Sequence, residues 1–318
     1  MPEWLERAKN DYLSRRLSRR DLDEMHDAVR KSAIKDQEAA GIDIVTDGEL
    51  QRDNMIDYFT ERLPGVQVDL GSKRFYYDFY ETQVRSKLAT GSLGLTEEVR
   101  FLRKYSEHPA KVSVSGPHTL VKRIRNNYYP SEEAFALDLG RTLNFELKEL
   151  ARAGATELQI DEPYYSGFPE DLPWAVKAIN AAVEGVDAHV TLHICYGNRY
   201  GKPSFEGSYR YLFPTILEAK VHALSLEFAR RGEEDIQLFR EFKAPFTLGL
   251  GVIDVKTQEI EPPALVADRI RRALEIVPAE RLVINPDCGC VHLPRDVAFN
   301  KLAAMVEGTK MVRADLGK

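Results

Sequence analysis

Short apolar runs alternate with amphipathic stretches along most of the chain. Asp21–Ala40 places Leu22, Met25, Val29 and Ala33 on one stripe at helical spacing, and Gly41 supplies a stop. Ile42–Thr46 (IDIVT) follows as an apolar run of strand length. Similar runs occur at Lys111–Ser115, Glu157–Asp161, His189–Cys195, Ala223–Glu227, Phe246–Gly251 and Leu282–Asn285. Helical patterns lie between or after them, at 131–152, 171–184, 208–221, 233–242, 262–276 and 294–307. Seven strands alternating with helices predict an α/β fold with parallel pairing and right-handed crossovers. No glycine-rich nucleotide fingerprint follows any strand, so a closed (β/α)8 barrel of the TIM type fits better than an open sheet. One strand is then missing from the count. A single barrel domain spanning 1–318 is expected.

Residues 64–100 interrupt the rhythm. They hold Val66, Val68, Leu70 and the aromatic run at 75–80, with Gly71 and Gly91 as breakers, and predict a β-hairpin excursion near the barrel mouth. Its aromatics either pack on the barrel or serve as a lid or partner surface. The net charge of −6 argues against a nucleic-acid partner, whose phosphates need a basic surface. No apolar run approaches the roughly 20 residues that cross a bilayer, and no signal peptide opens the chain, so a cytoplasmic protein without a membrane partner is expected. The charged run at 15–20 reads as a solvated helix face. Three cysteines, all after residue 190, are too few for a disulfide framework.

Their neighbours suggest a metal instead. His193 and Cys195 sit two apart at a strand end, where alternate side chains share a face. Cys288 follows the last strand and Glu227 ends an intervening one. In a parallel barrel all strand ends meet on one rim, so these four form a candidate N, S and O ligand set for Zn²⁺. His-x-Cys alone is weak, since a buried His beside an apolar Cys is commoner. A second group is acidic. Asp47-Gly48-Glu49 and Asp161-Glu162-Pro163 both follow strands, and carboxylates there would hold a substrate ammonium. For Asp47, capping the next helix is an equal reading, and Arg52, Asp53 and Asn54 could equally open that helix.

These motifs together resemble a known family. HIC, the LSLE glutamate, INPDCG, DGE-x-x-R-x-x-M, SGP-x-T and QIDEP look like the catalytic half of cobalamin-independent methionine synthase, from about Pro2 to the end. The resemblance implies a zinc enzyme of the (β/α)8 class that moves a methyl group onto the sulfur of homocysteine. By motif match, His193, Cys195, Glu227 and Cys288 take the zinc-ligand roles, and Glu49 and Asp161 hold the homocysteine amino group. Cys290 matches no role and is taken as a neighbour.

The sequence departs from that pattern around the methyl donor and at its start. Only one of the two barrel-like halves fits in this length. Lys256 stands where folate-dependent members carry a proton-donating histidine, so it is the candidate acid if burial lowers its pKa toward neutrality. Arg123 replaces their pterin-stacking tryptophan, and Tyr164-Tyr165-Ser166-Gly167 replaces an acidic pterin contact. A methylcorrinoid, either methylcobalamin or a methylated corrinoid protein, leaves without needing a proton and is therefore the expected donor, with methyltetrahydrofolate as the alternative. The family's opening strand, which ends in Gly-Ser, is expected to be absent or to lie upstream of Met1. Two rivals stand beside this reading: alkyl transfer to another thiol such as coenzyme M, and a zinc-stabilised binding barrel without catalysis.

Overall fold

A computed structural model describes residues 3–73 and 79–317. Its strands, in chain order, are β1 (Val66–Asp69), β2 (Glu81–Val84), β3 (Lys111–Ser115), β4 (Arg125–Asn126), β5 (Glu157–Asp161), β6 (His189–Ile194), β7 (Ala223–Leu226), β8 (Thr247–Gly251) and β9 (Leu282–Asn285). The central sheet runs β3-β5-β6-β7-β8-β9, each strand parallel to the next, as βαβ alternation requires. One row of partners crosses it: Ser115, Asp161, His193, Ser225, Gly249 and Val283.

The two faces of this sheet differ in chemistry. Val112, Val114, Leu158, Ile160, Leu192 and Leu224 are buried in the main hydrophobic core. The alternate positions Ser113, Gln159, Thr191, Ser225 and Thr247 are polar and line a cavity of about 1690 Å³. In a TIM barrel bulky branched side chains usually fill the interior. Here short polar side chains take those positions, and the interior stays open toward the strand ends.

The expected strand at Ile42–Thr46 shrinks to one parallel bridge, Val45 with Ala110. Val45 N–H donates to Pro109 O at 3.0 Å, and Lys111 N–H donates to Val45 O at 2.9 Å. Among the described residues no strand pairs with the other edge of this segment, nor with the outer edge of β9. Ile42, Ile44, Val283, Met305 and Val306, from these two edges and the last helix, all line the cavity.

The long helices follow their predicted spans, with one ending later than expected. Arg19–Ala40 starts at the Ser18 cap, whose hydroxyl accepts from Asp21 N–H, and stops at Gly41 with φ of +88°. Glu132–Arg152, Leu172–Val183 and Pro263–Leu274 match their patterns, and the last helix runs on to Asp315. The helix expected over 208–221 is instead two 3-10 turns, Tyr209–Leu212 and Thr215–Glu218, because Pro214 between them lacks an N–H and crowds the preceding turn. The pattern at 233–242 gives a 3-10 turn and a five-residue helix, Gln237–Glu241. Helices at Glu3–Leu13 and Thr96–Tyr105 were not expected. Among the described residues no helix is long and apolar enough to cross a membrane.

The excursion is a hairpin as expected, with β1 antiparallel to β2, and β4 adds a parallel third strand. It ends before the helix at Thr96, short of the expected limit. Most of the aromatic run, 75–78, lies outside the described residues. Phe79 lies under two guanidinium groups, Arg123 at 4.1 Å and Arg199 at 4.9 Å from its ring centroid, and lines the cavity. The excursion therefore reaches the barrel mouth.

Gly140 shows how tightly the outer layer packs. A Cβ there would fall 2.4 Å from Ala178 O on the helix Leu172–Val183. Gly140→Ala gains about 1 kcal/mol of helix propensity. It is nonetheless expected to lower stability by about 1–3 kcal/mol, because the facing backbone must move. A denaturation midpoint at or above that of the wild type would show that the helices can separate freely.

Candidate active site

The row Ser115, Asp161 and His193 ends at the cavity, so strand register alone brings chemistry together. Asp161 Oδ1 lies 2.9 Å from His193 Nδ1, and Gln159 Nε2 donates to the same carboxylate oxygen at 2.8 Å. With Nδ1 committed to the carboxylate, Nε2 is left as the ring's donor atom. Two residues on, Cys195 Sγ lies 3.8 Å from Cys288 Sγ, although the two cysteines are 93 positions apart. One donor atom each from His193, Cys195 and Cys288 falls within 4.8 Å of the others.

The electrostatics favour a thiolate in this group. Hydrogen bonding from Cys195 outweighs burial and, with His193 and the Lys256 charge, holds Cys288 well below the usual thiol range. Cys195, sharing its proton with Cys288 and buried, is pushed up. An imidazole nitrogen and two sulfurs, one of them already inclined to ionise, suit Zn²⁺. The residues present fit that ion.

Glu227 lies outside that 4.8 Å group. Its carboxylate is fully buried, accepts from Lys256 Nζ at 2.9 Å, and pairs with Arg230 Nη2 at 3.2 Å. Tyr196 N–H approaches its Oε2 at 3.3 Å. The sequence put Glu227 on the right rim, but its side chain answers to two cations that spacing cannot reveal. Lys256 also departs from expectation. Burial would lower its pKa, but the charges of Cys288 and Glu227 prevail and raise it, so the condition for its acid role is not met. Cys290 lies outside the ligand group, its thiol pushed up to about 12 by burial and the Cys288 charge.

The acidic motif folds around Arg52. Gly48 and Glu49 both take positive φ, +76° and +54°, and Asp47 Oδ1 accepts from Glu49 N–H at 2.8 Å to close the turn. Positive φ at a non-glycine residue is strained and persists only where surrounding contacts fix it. Arg52 supplies them: its Nη1 lies 3.0 Å from Glu49 Oε2, and its Nη2 donates to Glu98 Oε2 at 2.6 Å and to Ser113 O at 2.9 Å. Ser113 Oγ donates to the other Glu49 oxygen. Burial, outweighing Arg52 and helped by the Asp161 charge, pushes the Glu49 carboxyl up to about 7. Glu49 and Asp161 both line the cavity beside the cysteines. Asp47 does not; it caps the turn and pairs with Arg30 at 2.9 Å. Arg52, Ser113 and Gln159 are the site residues that sequence reasoning did not assign. The Arg of DGE-x-x-R was visible, and its role was not.

Residues 3–311 match the family described as cobalamin-independent synthase, catalytic domain. The chain is 34% identical over 318 residues to the methionine synthase of Sulfurisphaera tokodaii, covering 99% of this chain and 90% of that one. It is 36% identical to the methionine synthase of a Saccharolobus islandicus strain, covering 99% and 92%. The structure of a B12-independent methionine synthase from Shewanella sp. W3-18-1, in complex with selenomethionine, superposes with a TM-score of 0.83 at 30% identity, covering 95% of this chain and 91% of that one. A Listeria monocytogenes structure at 23% identity and TM-score 0.77 shares the fold. The expected corrinoid donor finds no support in these matches, since the matching family is described as cobalamin-independent. The chain belongs to the cobalamin-independent methionine synthase family and carries its catalytic domain.

Proposed function

We propose that the chain is a zinc-dependent methyltransferase that forms methionine from homocysteine, with methyltetrahydrofolate as the donor class and the whole site on one barrel spanning 1–318. The observation that carries this reading is the His193, Cys195 and Cys288 group opening on the cavity that Glu49 and Asp161 also line. Zinc bound there would keep an acceptor thiol ionised at neutral pH, where a free thiol with a pKa near ~8.5 is mostly protonated. Asp161 fixes the His193 ring. Arg52 and Ser113 hold Glu49, whose carboxylate receives the acceptor's ammonium. A sulfonated thiol such as coenzyme M has no ammonium, and both carboxylates would repel its anion. The cobalamin-independent description of the family supports the folate donor. The departing folate nitrogen needs a proton, and Lys256, tied to Glu227, is not the group we assign to it.

Metal content tests the ligand set. Cys195→Ser and Cys288→Ser should each lose the single zinc expected per chain, because a hydroxyl is a poor zinc ligand, while Cys290→Ser should keep it. Full zinc by elemental analysis in both serine variants at 195 and 288 would refute the assignment. Asp161→Asn should weaken zinc binding about 10–100-fold through the freed His193 ring.

The pH profile tests the ammonium site. Glu49 carries its charge only above about pH 7, so kcat/KM for homocysteine should rise between pH 6 and 8 as that carboxyl ionises. Glu49→Gln should remove that limb, cost about 1.5–3 kcal/mol in homocysteine binding at pH 8, and leave zinc content intact. Profiles of identical shape in the two proteins would exclude Glu49 as the ammonium partner.

A further inference from the structure

A lysine lines the barrel interior, two layers of side chains below Asp161. Lys111, at the start of β3, is in register with Glu157, which is in register with His189. The Glu157 carboxylate is taken by that neighbour, with Oε2 2.9 Å from His189 Nδ1. Lys111 reaches the next layer instead. Its Nζ donates to Gln159 Oε1 at 3.0 Å, and among the described residues it pairs with no carboxylate. The other end of the same amide faces the site. Gln159 Nε2 donates to Asp161 Oδ1 at 2.8 Å and lies 3.5 Å from His193 Nδ1. That carboxylate oxygen is the one 2.9 Å from His193 Nδ1. Lysine, glutamine and aspartate thus form one chain from the start of β3 to the imidazole.

We propose that Lys111 is a positioning residue whose ammonium anchors the Gln159 amide by its oxygen, so that the amide N–H stays on Asp161 and that carboxylate stays on the His193 ring. This rests on the zinc methyltransferase reading above. An amide accepts at one end and donates at the other, an ammonium only donates, and a carboxylate only accepts. Lys111 and Asp161 therefore demand the same orientation of Gln159 and hold it between opposite charges, each through a charge-assisted hydrogen bond. Without Lys111, Gln159 Oε1 has no other partner among the described residues. A buried acceptor left unpaired is costly, so the amide would turn toward water in the cavity and its N–H would leave the carboxylate. The consequence reaches the metal through the ring. A carboxylate held on Nδ1 sets the tautomer and presents Nε2 to zinc, and loss of such support costs about 10–100-fold in metal affinity. Lys111 acts two contacts away from that group.

Zinc affinity measured by chelator competition tests this without turnover. Gln159→Met should weaken zinc binding on the order of tenfold, and Lys111→Met, one contact further out, about threefold to fivefold. Lys111→Arg keeps a cation that only donates and has the open cavity beside it, so it should retain wild-type affinity; a role in packing alone would not predict that rescue. Adding Lys111→Met to Gln159→Met should cost nothing beyond Gln159→Met, because the lysine acts through the amide. Lys111→Gln, shorter and neutral, carries the same expectation as Lys111→Met and takes its place if that variant fails to fold. Wild-type zinc affinity in the neutral Lys111 variant or in Gln159→Met would overturn the proposal. So would a Lys111→Arg variant as weak as the neutral one, or losses that add in the double variant. A wild type that binds no zinc would instead refute the zinc reading itself.

Discussion

The in-register pairing of Asp161 with His193 on adjacent parallel strands is the contact on which the rest of the site depends. Partners in a parallel ladder point to the same face, so β5 and β6 need no loop to bring a carboxylate to an imidazole. That contact fixes the ring, and two residues on, just past the end of β6, Cys195 turns to the same side. Cys288 then arrives from the end of β9, three strands away, because a closed sense of curvature brings strand ends back toward one rim. A one-residue slip between β5 and β6 would put Ile160 opposite His193 and leave the ring without its carboxylate.

The same geometry explains the cavity. Positions facing inward carry Ser113, Gln159, Thr191 and Ser225 rather than large aliphatics, and the volume they leave is where acceptor and donor must meet. Keeping that space open has a cost in apolar burial, which the outer layer offsets. The helices Glu132–Arg152 and Leu172–Val183 pack backbone against backbone at Gly140, over fully buried leucines at 139, 143 and 147. Two buried charges at the site are answered by opposite charge: Arg52 by Glu49 and Glu98, Glu227 by Lys256 and Arg230. Removing one partner from such a set is far more damaging than the net worth of the pair suggests.

Much of this was legible in the sequence, for reasons that can be stated. Parallel strands buried on the helix side read as short apolar runs, so six of the seven expected strands stand where the pattern put them, within a residue or two. His193, Cys195 and Cys288 were legible because each is a metal-binding residue type at a strand end. The segment at Ile42–Thr46 read as a full strand because periodicity reports apolar positions and not whether a neighbour exists. Pro214 was visible in the sequence and should have divided the helix expected there. Glu3–Leu13 lies outside the predicted helices, although Leu5 and Ala8 at helical spacing are both buried. What no spacing could reveal is the partner of a side chain: Glu227 and Lys256 are 29 residues apart and meet only through the rim. The corrinoid donor was inferred from missing folate contacts, and family membership weighs against it. An absent residue type is weaker ground than a present one.

The central claim is that this single barrel makes methionine by methylating homocysteine at a zinc-thiolate site. The most direct measurement is a product assay with zinc-loaded protein, homocysteine and methyl-labelled methyltetrahydrofolate, run beside metal-stripped protein. The account predicts labelled methionine from the zinc-loaded protein and none from the stripped one. Equal label in both, or no labelled methionine from zinc-loaded protein that binds homocysteine, would contradict it.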